Sequence, residues 1–305
     1  MNRTGDAATR RPPGERNSVG SGRRGEGDRG ASGRPTDDPR APLPSRISEA
    51  PALPDAARAI VRDGLAALSL DDPDGVLVDA LEGQLRLMLA WTAWVNLTAI
   101  REAEQAARLH VLDSLAAVHV LRDRGVDAFV DIGTGAGYPG LPLALALPAR
   151  RALLVDSVAK KTRFVSTAID AVGASGTVEA WAGRAEDLSR DPAHRGRWPG
   201  VLARAVADLA EVAEVALPLL DVGGVLVAWK REPVGEELAA ARTRIGDAGG
   251  GRAHVERVDL EGLEGHRLVV VTKVRPSPPQ FPRDPAVRAR ERRAAGDGTP
   301  RLRRR

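Results

Sequence analysis

The chain has 305 residues, room for one large domain or two small ones. It contains no cysteine, which excludes disulfides, thiolate zinc sites, iron–sulfur clusters and a cysteine nucleophile. The net charge of +4 sits at the ends: residues 1–50 hold ten Arg against seven acids and residues 276–305 nine Arg against three, whereas 51–275 carry 26 bases against 31 acids.

Residues 1–50 are Arg, Gly, Pro, Ser and Asp with few large apolar side chains. Such a segment cannot bury enough surface to offset its ordering entropy, so a disordered basic arm is expected. No secretory apolar segment follows Met1, and no apolar run reaches bilayer length; a cytoplasmic protein with no membrane partner is expected. Residues 51–125 read as a helical region. Leu65, Leu68, Val76, Leu77, Leu81, Leu85, Met88, Leu89 and Leu97 recur at three- and four-residue spacings. Asp71 to Asp74, with Pro73, divide the pattern into helices near 54–69 and 75–95. A third helix is expected over about 103–123, ending near Gly125. Trp91 and Trp94 share a helical face and are expected to pack in the core.

From 126 to 275 short apolar runs alternate with helical stretches. Strands are expected at 128–132, 152–156, 177–181, 200–204, 224–229, 253–259 and 267–273. Helices are expected near 139–147, 158–172, 208–219 and 233–247. This order implies an α/β fold, a mostly parallel seven-stranded sheet with helices on both faces, closed by an antiparallel hairpin. Residues 276–305 resemble the opening arm in composition and are expected to form a disordered basic tail, either solvating or polyanion-binding.

The sharpest signal is FVDIGTGAGYPG, residues 129–140. A strand ends at Ile132, and Gly133, Gly135 and Gly137 supply a turn that admits a ligand against bare backbone. Pro139 opens the next helix, whose free N–H groups are expected to face the ligand. Gly135, Gly137 and Gly140 also satisfy the dinucleotide pattern G-x-G-x-x-G. Asp131, two residues before Gly133, makes the string D-x-G-x-G-x-G, the usual loop of S-adenosylmethionine (SAM)-dependent methyltransferases. Asp156 closes the next strand, where an acid can accept from ribose hydroxyls or cap the following helix. Glu186 or Asp187, after the third strand, could accept from an adenine amino group or simply begin a helix. The fourth strand ends at Arg204 with no Asn/Asp-Pro-Pro-aromatic motif for amine methylation. A ring nitrogen with a free lone pair needs no deprotonation and remains a permitted target.

These strings occur in an order that resembles the bacterial small-subunit ribosomal RNA methyltransferase G family, also called glucose-inhibited division protein B. The similar segments are WVNLTAI (94–100), HVLDSL (110–115), VDIGTGAGYPGLPLAL (130–145), LLVDSVAKKTRFV (153–165), GRAEDL (183–188), ARAVADL (203–209) and AWK (228–230). The resemblance covers about 75–275. It implies a class I, Rossmann-like methyltransferase with an N-terminal helical extension, transferring a methyl group from SAM to N7 of a guanine in the 530 loop of 16S rRNA, free or in the 30S subunit. It implies a cofactor pocket at Gly133, Gly135, Gly137, Tyr138, Asp156, Ala185, Glu186 and Arg204. No residue need act as a catalytic base, with Arg204 the one candidate for a direct role, and no metal is implied. His110 and Asp113 match a His-x-Leu-Asp pair, expected as a buried hydrogen-bonded pair holding the helical region to the sheet. Lys160, Lys161, Arg163, Arg184 and Lys230 are candidate RNA contacts. The chain departs from the family's tail after Phe281, Pro282 and Arg283. An NAD(P)-dependent oxidoreductase, a non-catalytic RNA-binding protein of the same fold, and a methyltransferase of small molecules or proteins remain the alternatives.

Overall fold

A computed structural model of the chain describes residues 42–147, 149–284, 286–288 and 290. Residues 1–41 and 291–305, most of the two expected arms, lie outside the described residues.

Helices α1 (Asp55–Ala67) and α2 (Val76–Thr92) are separated by the acidic turn read from the sequence. Asp72 does the separating: its carboxylate accepts from the backbone N–H groups of Leu77 and Val78, satisfying two open donors of α2. Val78, Leu81, Leu85, Met88 and Trp91 form the buried stripe of α2, recurring every three or four residues. The third helix is broken rather than continuous. It runs as α3 (Ala103–Ala106), a π-helical turn (Ala107–Leu112), α4 (Asp113–Leu115) and α5 (Val118–Asp123), and it stops at Gly125, whose φ of 63° suits a glycine.

Seven strands follow: β1 (Ala128–Ile132), β2 (Arg151–Asp156), β3 (Val178–Ala182), β4 (Trp198–Arg204), β5 (Leu220–Arg231), β6 (His254–Arg257) and β7 (His266–Thr272). They pair in the order β3-β2-β1-β4-β5-β7-β6. Strands β1 to β5 are mutually parallel, and β7 runs antiparallel between β5 and β6. The crossovers are α6 (Gly140–Ala146), α7 (Ala159–Ala171), α8 (Ala185–Arg190), α9 (Leu209–Ala216) and α10 (Gly235–Asp247).

Strand alternation sorts the core into two layers. Phe129, Leu154, Leu202, Val227 and Val270 pack with α1, α2, α6 and α7. Val130, Ile132, Leu153, Val155, Val201, Leu226 and Val271 pack with α9 and α10 on the opposite face. Strands buried on both faces explain the unbroken apolar runs.

Both expected disordered ends need correction where they are described. Residues 47–49 form a 3-10 turn, Ala50 is buried, and Pro44 accepts a hydrogen bond from the Trp91 indole. Trp91 also meets Phe164 edge-on, so it is a core residue. Trp94, expected beside it, is 44% exposed because α2 ends at Thr92 and the chain leaves the helix. At the other end, residues 276–284 lie against α8 and α9. Phe281 is buried there, and Arg190 and Arg195 donate to backbone carbonyls between Ser277 and Arg283. Five carbonyls held by two guanidinium groups order a segment that has little apolar content of its own.

Candidate active site

Strand order reverses on either side of β1: the chain goes to β2 on one side and to β4 on the other. In an open α/β sheet this switch point leaves a crevice beyond the carboxyl ends of the strands, where ligands bind. The glycine turn sits there. Gly133, Gly135 and Gly137 all have positive φ, at 71°, 62° and 82°. A β-carbon at Gly135 would touch only the Gly133 carbonyl oxygen, at 4.0 Å, whereas one at Gly133 would strike Val206. The turn is therefore bare where a ligand would approach and packed where it meets the β4 loop.

Asp131 holds this turn from below. It is wholly buried, and its Oδ2 accepts from the Thr134 hydroxyl at 2.6 Å and from the Gly140 N–H at 2.9 Å. One carboxylate oxygen thus ties both ends of the loop, while Oδ1 is left without a partner. Burial pushes the carboxyl up to about 6, despite those two hydrogen bonds. The free N–H groups expected at the start of this helix are already engaged at Gly140, which donates to Asp131, and at Leu141, which donates to the Gly137 carbonyl.

Asp156 closes the crevice from β2. Its Oδ2 accepts from the Gly135 N–H at 3.0 Å, and its Oδ1 from the Val158 N–H at 2.8 Å. Each oxygen spends one lone pair on backbone, which leaves acceptor capacity on both. The geometry permits this acid both to cap the following helix and to accept from a ligand. The backbone N–H of Gly183 donates to the Asp156 carbonyl, bringing the loop before α8, with Ala185 and Glu186, to the same edge. Exposed Val158 and Val206 add apolar surface beside the turn.

The Glu186 carboxylate is not a free acceptor. It takes a hydrogen bond from Arg288 at 2.6 Å. Burial, the largest single influence, raises its pKa; the Arg288 hydrogen bond, a hydrogen bond from its own backbone and the charges of Arg288 and Arg184 together offset this and keep it below the usual range.

Arg204, at the end of β4, points to the helical region. It donates to the Asp113 carboxylate at 3.0 Å and to the Leu109 carbonyl at 3.2 Å. The other Asp113 oxygen lies 2.7 Å from His266 Nδ1 on β7, and the Asp113 carbonyl accepts from the Trp229 indole on β5. Asp113 therefore ties the helical region to three strands. His110 and Asp113 are not bonded to each other, contrary to expectation: His110 Nε2 lies 2.8 Å from the Thr98 hydroxyl, and the π-helical turn between the two residues separates their roles. Burial, followed by the charge of Arg204, pushes the His110 imidazole down to about 4, so it is neutral at pH 7. Tyr138 is buried with its ring stacked on His110 and the Arg204 guanidinium across it. Its side chain belongs to this junction. Ala205 follows Arg204 with φ of 55°, a left-handed conformation costing an alanine about 1 kcal/mol, and leads into the Val206 contact with Gly133.

Of the five candidate RNA contacts, Lys160, Arg163 and Arg184 are exposed and Lys161 is half-buried. Lys230 is not a surface cation. Its ammonium donates to the Ala207 carbonyl and pairs with Glu237 at 2.6 Å, which fastens β5 to α10.

Two further groups, Gln84 and Arg288, are brought to the site by the fold and carry little or no signal in the sequence. Gln84 on α2 is fully buried and donates to the Ala136 carbonyl, its Oε1 unpartnered. A glutamine inside an apolar helical stripe was the available signal. Arg288 lay in a stretch read as unstructured and gave none.

A parallel sheet reversed only at β7, with a glycine turn at its switch point and an acid closing it from β2, defines a class I SAM-dependent methyltransferase. The cofactor fits what is present: a lightly contacted backbone at Gly135, unspent lone pairs on Asp156 and apolar flanks at Val158 and Val206. Residues 78–261 match the family described as GidB, rRNA small subunit methyltransferase G, and the chain belongs to that family. A ribosomal RNA small subunit methyltransferase G from Symbiobacterium thermophilum is 38% identical over 242 residues, 77% of this chain and 97% of that protein. One from Roseiflexus sp. is 43% identical over 201 residues, 66% of this chain and 85% of that protein. Among solved structures, an O-methyltransferase from Bacillus cereus in complex with SAH aligns over 71% of this chain and 100% of its own, at 16% identity and a TM-score of 0.46. Family membership removes the oxidoreductase alternative. Among the described residues no helix is long and apolar enough to cross a membrane.

Proposed function

We propose that the protein transfers a methyl group from SAM to N7 of a guanine in the 530 loop of 16S rRNA, in the cytoplasm and on the 30S subunit or a precursor of it. The observation that carries this reading is the crevice at the switch point, where Asp156 holds the Gly135 backbone and keeps lone pairs in reserve. Bound SAM would supply an electrophilic methyl group on a sulfonium. Asp156 would accept from the ribose hydroxyls, the bare Gly135 backbone would admit the ligand, and the start of α8 at Ala185 and Glu186 would border the adenine.

The guanine N7 lone pair would form the new bond as the bond to sulfur breaks. No proton leaves the base, so the chain needs no general base, and none stands out: the His110 ring is buried against Thr98 and Tyr138. The work is alignment and exclusion of water. The Arg204 charge is neutralised by Asp113, so a cationic product does not face an unpaired guanidinium. Lys160, Arg163 and Arg184, at the starts of α7 and α8, have no ion-pair partner among the described residues and would meet RNA phosphates.

The test uses the full chain, methyl-labelled SAM and unmodified 30S subunits or 16S rRNA. Label should enter 16S rRNA, and borohydride and aniline treatment, which cleaves at N7-methylguanosine, should cut it at one site in the 530 loop. Label in protein or lipid, or in RNA that the treatment does not cut, would contradict the proposal.

A further inference from the structure

The described residues 276–284 and 286–288 form a strap that ends at the cofactor crevice. The strap is fastened at successive points. Lys273, fully buried, donates to Ser277 and to the Leu217 carbonyl. The Arg195 guanidinium holds the carbonyls of Ser277, Pro278 and Phe281, and Arg190 holds those of Pro282 and Arg283. Phe281 enters the core beside α9. Arg283 makes a two-point contact with Glu214, a buried acid of α9, at 2.9 and 2.8 Å.

The last contact is of a different kind. Arg288 is only 6% exposed, and it spans α8 and α9 by donating to Glu186 at 2.6 Å and to Glu211 at 3.3 Å. Glu186 stands three residues after Gly183, which is bonded to Asp156, so its carboxylate is fixed at the border of the crevice by a residue 102 positions away. Without that guanidinium, a half-buried carboxylate in the first turn of a six-residue helix has rotameric freedom and seeks other donors.

We propose that Arg288 is a positioning residue for the cofactor: by holding Glu186 it sets the adenine border of the crevice, so that cofactor affinity depends on a seated C-terminal strap. This rests on the crevice being the SAM site. Arg288 itself touches no reacting atom; its effect on binding passes through Glu186.

The test is calorimetric binding of S-adenosylhomocysteine to the full chain in the wild type, Arg288→Gln, Glu186→Gln and the double variant, with Arg288→Lys as the conservative change. Loss of the charge-assisted contact should weaken binding on the order of tenfold in either single variant. The double variant should be no weaker than the singles, and Arg288→Lys, which keeps the charge but not the two-acid span, should fall between. The KM for SAM should rise by the same factor while kcat on RNA holds. Unchanged binding in Arg288→Gln overturns the proposal, as do losses that multiply in the double variant or a kcat that falls with KM unmoved. A wild-type chain that binds no S-adenosylhomocysteine overturns the cofactor assignment beneath it, and the proposal with it. Ligand-free thermal unfolding of each variant identifies misfolding, and Arg288→Lys then carries the comparison.

Discussion

The two halves of the crevice are built by different means. On the β1–β2 side the carboxylate contacts come from short stretches of chain: Asp131 reaches Thr134 and Gly140, and Asp156 reaches Val158 and the neighbouring turn at Gly135, with Gln84 adding a remote donor to Ala136. On the β4–β5–β7 side every important contact is remote. Asp113 meets Arg204, Trp229 and His266 at separations of 91, 116 and 153 residues. The first half is a backbone device, tolerant of its surroundings and intolerant of side chains at its glycines. The second is a tertiary junction whose geometry exists only once the helical region has docked.

That contrast predicts where damage shows. The largest loss of stability should follow Asp113→Ala, which leaves the Arg204 guanidinium buried and unpaired and the His266 ring without its acceptor. Removing one partner of a buried pair costs about 3 kcal/mol or more, readable as a lower urea midpoint. A change below about 1 kcal/mol would mean that the junction follows docking without stabilising it.

Next comes the pH dependence of Asp131. Its folded pKa is raised from 3.8 to about 6. Below 3.8 both states hold the proton; between the two values only the folded state does. The group's stabilising contribution is thus full at low pH and is lost as pH rises through 6, amounting to about 3 kcal/mol across the window. Asp131→Asn keeps an oxygen for Thr134 and Gly140 but has nothing to titrate. Its stability between pH 4 and 7 should decline less than that of the wild type, and parallel profiles would refute the assignment.

Gly135→Ala should cost only about 1 kcal/mol of stability, the strain of a left-handed alanine. Its methyl group would enter the lightly contacted space over the turn, so SAM affinity should fall by on the order of tenfold, a larger effect than backbone strain alone implies. Equal affinity would place the ligand elsewhere. The smallest effects belong to Lys160→Ala, Arg163→Ala and Arg184→Ala. Cofactor binding should hold, while RNA affinity drops modestly and the salt dependence of RNA binding loses about one unit of slope for each phosphate contact removed.

The same contrast explains what the sequence disclosed. Strands were legible because double-sided burial leaves continuous apolar runs, and the glycine turn was legible because positive φ selects glycine within one short string. The junction was not, because no periodicity relates Asp113 to Arg204 or His266. The π-helical turn at Ala107–Leu112 also shifts the register that the helical spacing assumed. The strap failed for a further reason: it is ordered by guanidinium contacts to its carbonyls and by acids on α8 and α9, none of which its own composition reveals. Lys230 likewise reads as a free cation until Glu237 is brought beside it by the α10 crossover.

The most direct measurement is a calorimetric titration of the wild-type chain and Asp156→Ala with SAM and with NADH. The proposal predicts one SAM bound per wild-type chain, no NADH, and at least tenfold weaker SAM binding once the Asp156 carboxylate, proposed to accept from the ribose, is gone. NADH bound in place of SAM, or an Asp156→Ala chain that binds SAM as tightly as the wild type, would contradict it.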